Sequence, residues 1–267
     1  MSSTEPLLLT THDAAGVATL TLNRTGRHNA LSAGLIDALA EALATLEAEP
    51  RVRVIVLTGA GNTFCAGADI EEMREAADAS VADNEREAVR LADLLARLDQ
   101  LAKPTVARVQ GNAFGGALGL ISACDIAIAA DTAWFALTEV RLGLVPAMIS
   151  PYVVRAIGER QSRRYFLTAE RMDAATAERT GLLHRVVPAA ELDTAVAGIT
   201  AELLRGAPGA QAEAKQLLRH VTGRSAAADR DMAATTARWI ARLRAGEEGR
   251  EGLSAFLERR PPAWRRD

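Results

Sequence analysis

Apolar positions along this chain change their period several times, and each change marks an element. Residues 16–23 alternate, with Val17, Thr19 and Thr21 set against Ala18, Leu20 and Leu22. Together with residues 7–10 and a turn from His12-Asp13 to Gly16, they predict a hairpin. A polar loop, NRTGRHN, follows at 23–29. Ser32 then offers a helix cap, Leu35, Leu39, Leu43 and Leu46 keep helical spacing, and Pro50 ends the segment. In residues 52–58, VRVIVLT, apolar side chains occupy both faces, which predicts a strand inside a sheet covered on both sides. A glycine-containing loop at 59–70 leads into a helix from Glu71. A further helix at 84–101 carries the stripe Leu91, Leu94, Leu95, Leu98 and Leu101.

The pattern then repeats more tightly. Residues 105–110 read as a strand, 111–116 as a glycine-rich turn and 117–123 as a helix with almost no polar face. Short strands follow at 125–130 and 133–137, and a loop at 138–146 holds Glu139. Helices are predicted at 147–158, 159–169 and 173–180, the last closed by Gly181. From Glu191 to about Arg260 the pattern is helical, broken at Gly206-Ala-Pro208 and at Gly223. Strands alternating with helices predict an α/β fold with parallel strands. Strands cease near residue 200, so the chain divides there into 1–200 and 201–267.

Composition narrows the function. Of 267 residues 49% are hydrophobic and 24% charged, the usual range of a globular protein, and 267 is enough for one large domain or a core with an appendage. A net charge of −3 gives no reason to expect nucleic acid as a partner. No apolar run reaches the roughly 20 residues of a membrane helix, and MSSTEPLLLT lacks the basic start of a secretory signal. Two cysteines, Cys65 and Cys124, make no disulfide framework and suit a reducing, cytoplasmic setting. They read as small buried residues. His12, His28, His184 and His220 show no metal spacing.

Two strand-to-helix glycine turns carry the candidate chemistry, 65–69 (CAGAD) and 111–119. At each, a glycine leaves the backbone unobstructed and a helix start presents N–H groups and the positive end of its dipole. Two such donors converging on one oxygen would make an oxyanion hole; spacing alone leaves two unrelated structural turns as the alternative. A G-x-G-x-x-G dinucleotide fingerprint fails at Phe64, and no G-x-S-x-G hydrolase elbow occurs.

These residues resemble the enoyl-CoA hydratase/isomerase (crotonase) superfamily. The matching pieces are Asn23-Arg24 with Asn29-Ala-Leu31, the run from Phe64 to Ile70, Lys103-Pro104, Gly111-Asn-Ala-Phe-Gly-Gly116, Cys124-Asp125, the run from Glu139 to Leu144, and Gly181-Leu-Leu183, in the family order. The resemblance implies a crotonase-like spiral of repeated ββα units over 1–200 bearing the acyl-CoA site. It also implies a C-terminal helical trimerisation region over 201–267, and trimers that can pair into hexamers. It implies that the N–H groups of Ala68 and Gly116 hold a thioester oxygen, with Gly115 beside them, and that the Ala66, Asp69 and Ile70 loop receives the adenine end of CoA. Coenzyme A would be part of the substrate, with no separate cofactor and no metal.

One departure stands out. Family hydratases commonly use two glutamates. The second of the two positions holds Glu139, but the first holds Gly119. A single carboxylate would then manage the water, and the small residue at 119 would leave room for a branched or carboxylated acyl group. Within the family, AFGGALGLISACDIAIAAD and the C-terminal EGLSAFLERRPPAW resemble the methylglutaconyl-CoA hydratases, and a related isohexenylglutaconyl-CoA group looks much alike. Such substrates bear a distal carboxylate that calls for a cation; Arg74 is the first candidate, with Arg86 and Arg90 behind it. Arg24, Arg27 and the cluster Arg259, Arg260, Arg265 and Arg266 are candidates for CoA phosphates, and a solvated basic tail is the plain alternative. Phe256 and Trp264 could cover the adenine or pack a subunit interface. An isomerase that shifts the double bond and a non-catalytic CoA-thioester-binding protein are the competing functions.

Overall fold

The computed structural model describes residues 5–77 and 79–265. Strands β1 (Leu8–His12) and β2 (Val17–Leu22) pair antiparallel as the alternation predicts, with Ala18, Leu20 and Leu22 fully buried. Helix α1 (Ala33–Ala48) is capped by Ser32, whose Oγ accepts from Leu35 N at 3.3 Å. Strand β3 (Val54–Gly59) is buried along its whole length, as its two apolar faces require.

The glycine loops then depart from the sequence reading. Each contains a short strand, β4 (Thr63–Cys65) and β6 (Asn112–Phe114). The chain therefore runs β3, β4, then α2 (Ile70–Ala77) and α3 (Val81–Gln100). It repeats with β5 (Thr105–Val109), β6 and α4 (Gly116–Ala123), and again with β7 (Ile126–Ala130), β8 (Trp134–Ala136) and α5 (Ser150–Thr168). Successive strands of each unit go to different sheets. One sheet has the order β1-β2-β3-β5-β7-β10, and the other β4-β6-β8-β9. This is a spiral of ββα turns.

The two helices expected over 147–169 form one assignment, α5, broken at Gly158, where φ is 74°. Beyond it come β9 (Met172–Asp173), α6 (Ala174–Thr180) and β10 (Arg185–Val187), a strand the sequence pattern did not reveal. Four helices follow: α7 (Leu192–Arg205), α8 (Pro208–Val221), α9 (Ala226–Arg244) and α10 (Glu247–Leu257). Residue 200 falls inside α7, whose Leu192, Ala195 and Val196 pack with Val54, Val106 and Ile128 of the larger sheet. Helix α9 lies along α3, and α10 covers α2. No helix among the described residues is long and apolar enough to cross a membrane.

Candidate active site

The first glycine loop is fixed by Asn29, a fully buried residue in the left-handed region. Its Nδ2 donates to the carbonyls of Ala60 (2.9 Å), Thr63 (2.8 Å) and Phe64 (3.3 Å), and its Oδ1 accepts from Arg24 N at 2.9 Å. The loop then turns at Gly67, with φ of 92°, and meets the second loop at Gly115, with φ of 51°. A Cβ on Gly67 would sit 2.7 Å from Phe114 O, so only glycine permits this approach.

The approach brings the two helix starts together. A Cβ on Gly116 would lie 4.0 Å from Ala68 N. The neighbouring amides are spoken for: Asp69 N donates to Leu31 O, and Gly115 N to Ala136 O. Neither Ala68 N–H nor Gly116 N–H is engaged by these bonds. Glu139 lies beside Gly115, at the start of a short 3₁₀ turn, Glu139–Leu142. A Cβ on Gly115 would lie only 3.2 Å from its Oε1. Its Oε2 is sealed from solvent and has no hydrogen-bond partner. Burial pushes its carboxyl up from 4.5 to about 7, opposed by a hydrogen bond from its own backbone.

Gly115, Gly116, Ala68 and Glu139 share an inner pocket of about 70 Å³. Ala66, Ala68, Ile70, Thr138 and Leu142 line both it and an outer cleft of about 760 Å³. Arg27, Arg259, Arg260 and Phe256 line the outer cleft. Arg27 pairs with Glu71 at 2.8 Å, and Arg260 pairs with Glu251 and Glu258. Trp264 is not on the cleft wall, and Arg266 lies outside the described residues.

Several expected site residues do other work. Arg24 is not on either pocket wall; it donates to Ala30 O at 2.7 Å and to Asp69 Oδ2 at 2.9 Å. Asp69 borders the outer cleft, and its Oδ1 caps α2 by accepting from Glu71 N at 3.1 Å and from Glu72 N. Burial opposes its charge, but Arg24 and these amides outweigh that and hold its carboxyl below the usual range. Arg74 is exposed on α2 and lines neither pocket; Arg86 and Arg90 are exposed and pair with Asp83 and Asp37.

Gly119 also departs from expectation. It lies outside both pocket walls, and a Cβ there would come 2.9 Å from Ile149 Cβ and 3.2 Å from Leu95 Cδ1. Ile149, itself on the inner pocket wall, takes up the space that glycine was expected to leave. Cys65 and Cys124 are buried free thiols pushed up to about 12 by burial. Among the described residues no group of three or more His, Cys, Asp or Glu could hold a metal.

The sequence reading missed one residue altogether. Arg244, in the last turn of α9, is only 3% exposed and lines the inner pocket one helical turn from Ile240.

The enoyl-CoA hydratase/isomerase family model matches residues 12–267, nearly the whole chain. The chain belongs to that family. An enoyl-CoA hydratase from Mycobacterium avium superimposes with a TM-score of 0.84 at 37% identity, covering 98% of this chain and 100% of that one. One from Shewanella pealeana gives a TM-score of 0.79 at 42% identity, covering 97% and 96%. Among curated relatives, the mevalonyl-coenzyme A hydratase of Aspergillus fumigatus is 33% identical over 247 residues, 92% of this chain and 90% of the relative. This family member is an enzyme of the enoyl-CoA hydratase type, a hydro-lyase acting on acyl-CoA thioesters. The paired helix starts and the buried acid are the features that such chemistry would use.

Proposed function

We propose that this enzyme adds water across the 2,3-double bond of a branched, carboxylated enoyl-CoA, with 3-methylglutaconyl-CoA as the substrate, giving 3-hydroxy-3-methylglutaryl-CoA, or runs the reverse dehydration. The observation that carries the reaction is the carboxyl of Glu139, buried in the pocket that Ala68 and Gly116 also line, with one oxygen unpartnered. In the hydration, Glu139 as carboxylate takes a proton from water while the water oxygen bonds to C3. The C2=C3 electron pair moves toward the thioester and leaves an enolate oxygen. The N–H groups of Ala68 and Gly116 stabilise that oxygen, a contribution of about 3 kcal/mol per donor in such sites. The proton now on Glu139 then goes to C2, and the enolate collapses to the thioester. One water has been added and the carboxylate is regenerated. With Gly119 in the first glutamate position, one group serves as base and acid in turn.

The outer cleft suits the CoA arm, with Arg27, Arg259 and Arg260 near its phosphates and Ala66, Asp69 and Ile70 beside the adenine. CoA enters as part of the substrate, and no other cofactor is needed. The resemblance of residues 113–131 to the methylglutaconyl-CoA hydratases supports the acyl group, and the mevalonyl-CoA relative supports branching at C3. A homotrimer, or a hexamer of two, fits the exposed Leu217, Leu218, Val221 and Trp239. The buried thiols fit a cytoplasmic setting.

A spectrophotometric comparison of 3-methylglutaconyl-CoA, isohexenylglutaconyl-CoA and crotonyl-CoA tests the substrate. The expected order puts 3-methylglutaconyl-CoA first in kcat/KM. A clear preference for crotonyl-CoA overturns the carboxylated substrate, and a product without added water overturns hydration in favour of isomerisation.

A further inference from the structure

Arginine in the last turn of a helix ordinarily complements the dipole from the surface. Arg244 does not. Its neighbours on the buried face of α9 are Ala237, Ile240 and Ala241, and that face lies along α3. Burying a guanidinium without full pairing is costly, and the pairing here is incomplete. Nη1 meets Asn84 Oδ1 at 3.3 Å and Glu87 Oε2 at 3.4 Å, both long for charge-assisted contacts. Nε is buried and has no partner. Asn84 has no freedom to do more: its Nδ2 donates to the carbonyls of Ala76, Ala79 and Ser80, which tie the α2–α3 junction and fix Oδ1 toward the arginine. Desolvation, only partly offset by Glu87, lowers the pKa of Arg244. The same side chain lines the inner pocket that Glu139, Ala68 and Gly116 share.

We infer that Arg244 is the specificity residue of this site and binds a carboxylate at the far end of the acyl chain. This rests on the carboxylated-substrate reading above and names the group that would recognise it, in place of Arg74. A carboxylate entering past Ile240 and Met73 would give the unpartnered Nε an acceptor and would supply the charge that Glu87 supplies only at a distance. A neutral acyl chain would leave the guanidinium as it is. Discrimination would then come from a buried polar group that only the right substrate satisfies.

The test is the ratio of kcat/KM for 3-methylglutaconyl-CoA to that for crotonyl-CoA, measured on the whole enzyme. In Arg244→Met the ratio should fall on the order of 100-fold, mostly through KM. Arg244→Lys should recover part of the loss, since it restores charge without the fork. Glu87→Gln should raise the ratio a few-fold by removing the competing negative charge. Arg74→Ala should leave it within about twofold. A purely structural Arg244 would lower thermal stability without moving the ratio. If the wild type prefers 3-methylglutaconyl-CoA but Arg244→Met leaves the ratio unchanged, the assignment of Arg244 is overturned and the substrate reading stands. If the wild type prefers crotonyl-CoA, the substrate reading falls and the inference with it. Should Arg244→Met fail to fold, unchanged ratios in both Arg244→Lys and Glu87→Gln overturn the assignment.

Discussion

Asp99 and Glu139 are both withdrawn from water, and the fold treats them in opposite ways. Asp99, on α3, gathers cations from several elements. Its Oδ1 accepts from Arg155 at 3.1 Å and Arg224 at 3.3 Å, and its Oδ2 accepts from Arg219 at 2.8 Å and again from Arg224. Both of its oxygens are engaged by guanidinium groups. Among the described residues no cation pairs with Glu139, and one of its oxygens has no partner. An acid meant to hold helices together needs its charge neutralised at all times. An acid meant to move protons must be able to gain and lose one near neutral pH, and burial without a counter-ion gives it that.

The sharpest way to break this contrast is Glu139→Gln, which keeps the shape of the side chain and removes its proton chemistry. Turnover of the preferred enoyl-CoA should fall about 10³-fold, equivalent to about 4 kcal/mol in the barrier. Affinity for a saturated acyl-CoA, measured by calorimetry, should stay within a few-fold, because the amides of Ala68 and Gly116 are untouched. Turnover equal to wild type would remove Glu139 from the chemistry.

A smaller effect sharpens the contrast through pH. Glu139 titrates near 7 in the folded chain and at 4.5 as its ordinary value. Between these values the native state keeps a proton that the unfolded chain has released. The stability tied to that proton is fully present below about pH 4.5 and is lost as pH rises through 7, on the order of 3 kcal/mol in all. Denaturant titrations of wild type minus Glu139→Gln across this window should show that slope, and a flat difference would contradict it. Activity should move the other way, with hydration kcat/KM rising through about pH 7 as the carboxylate forms.

How far the sequence could be read follows the same physics. Long periodic stretches such as α1 and α3 were legible because one helix face repeats over several turns. Strands β4, β6 and β10, of three residues each, are too short to show alternation, and two of them lie within glycine loops. The paired glycine turns and Glu139 were legible as motifs, although their meeting depends on Gly67 and Gly115 adopting positive φ together. Gly119 misled because the side chain that fills its space, Ile149, comes thirty residues later and from another element. Arg244 was hidden for a similar reason. Its burial comes from α9 lying on α3, with Asn84 and Glu87 about 160 residues upstream. Local composition around ARLRAG reads simply as a solvated helix end.

The smallest effect tests the paired acid. In Asp99→Asn the shape remains and one acceptor oxygen survives, but Arg155, Arg219 and Arg224 lose their shared charge. Asp229, on α9, still accepts from Arg219 at 2.5 Å and from Arg224 at 3.3 Å, so the cluster keeps one anion. Loss of one partner in a fully buried cluster costs about 3–5 kcal/mol. With Asp229 remaining and Arg155 37% exposed to water, about 2 kcal/mol is expected. That corresponds to a melting temperature lower by about 4–8 °C. The cluster ties α3 to α5, α8 and α9 and does not line the inner pocket, so kcat should match wild type. A variant that melts normally would show the arginines to be solvated bystanders, while one that melts normally but turns over slowly would give Asp99 a role that belongs, on this account, to Glu139 alone.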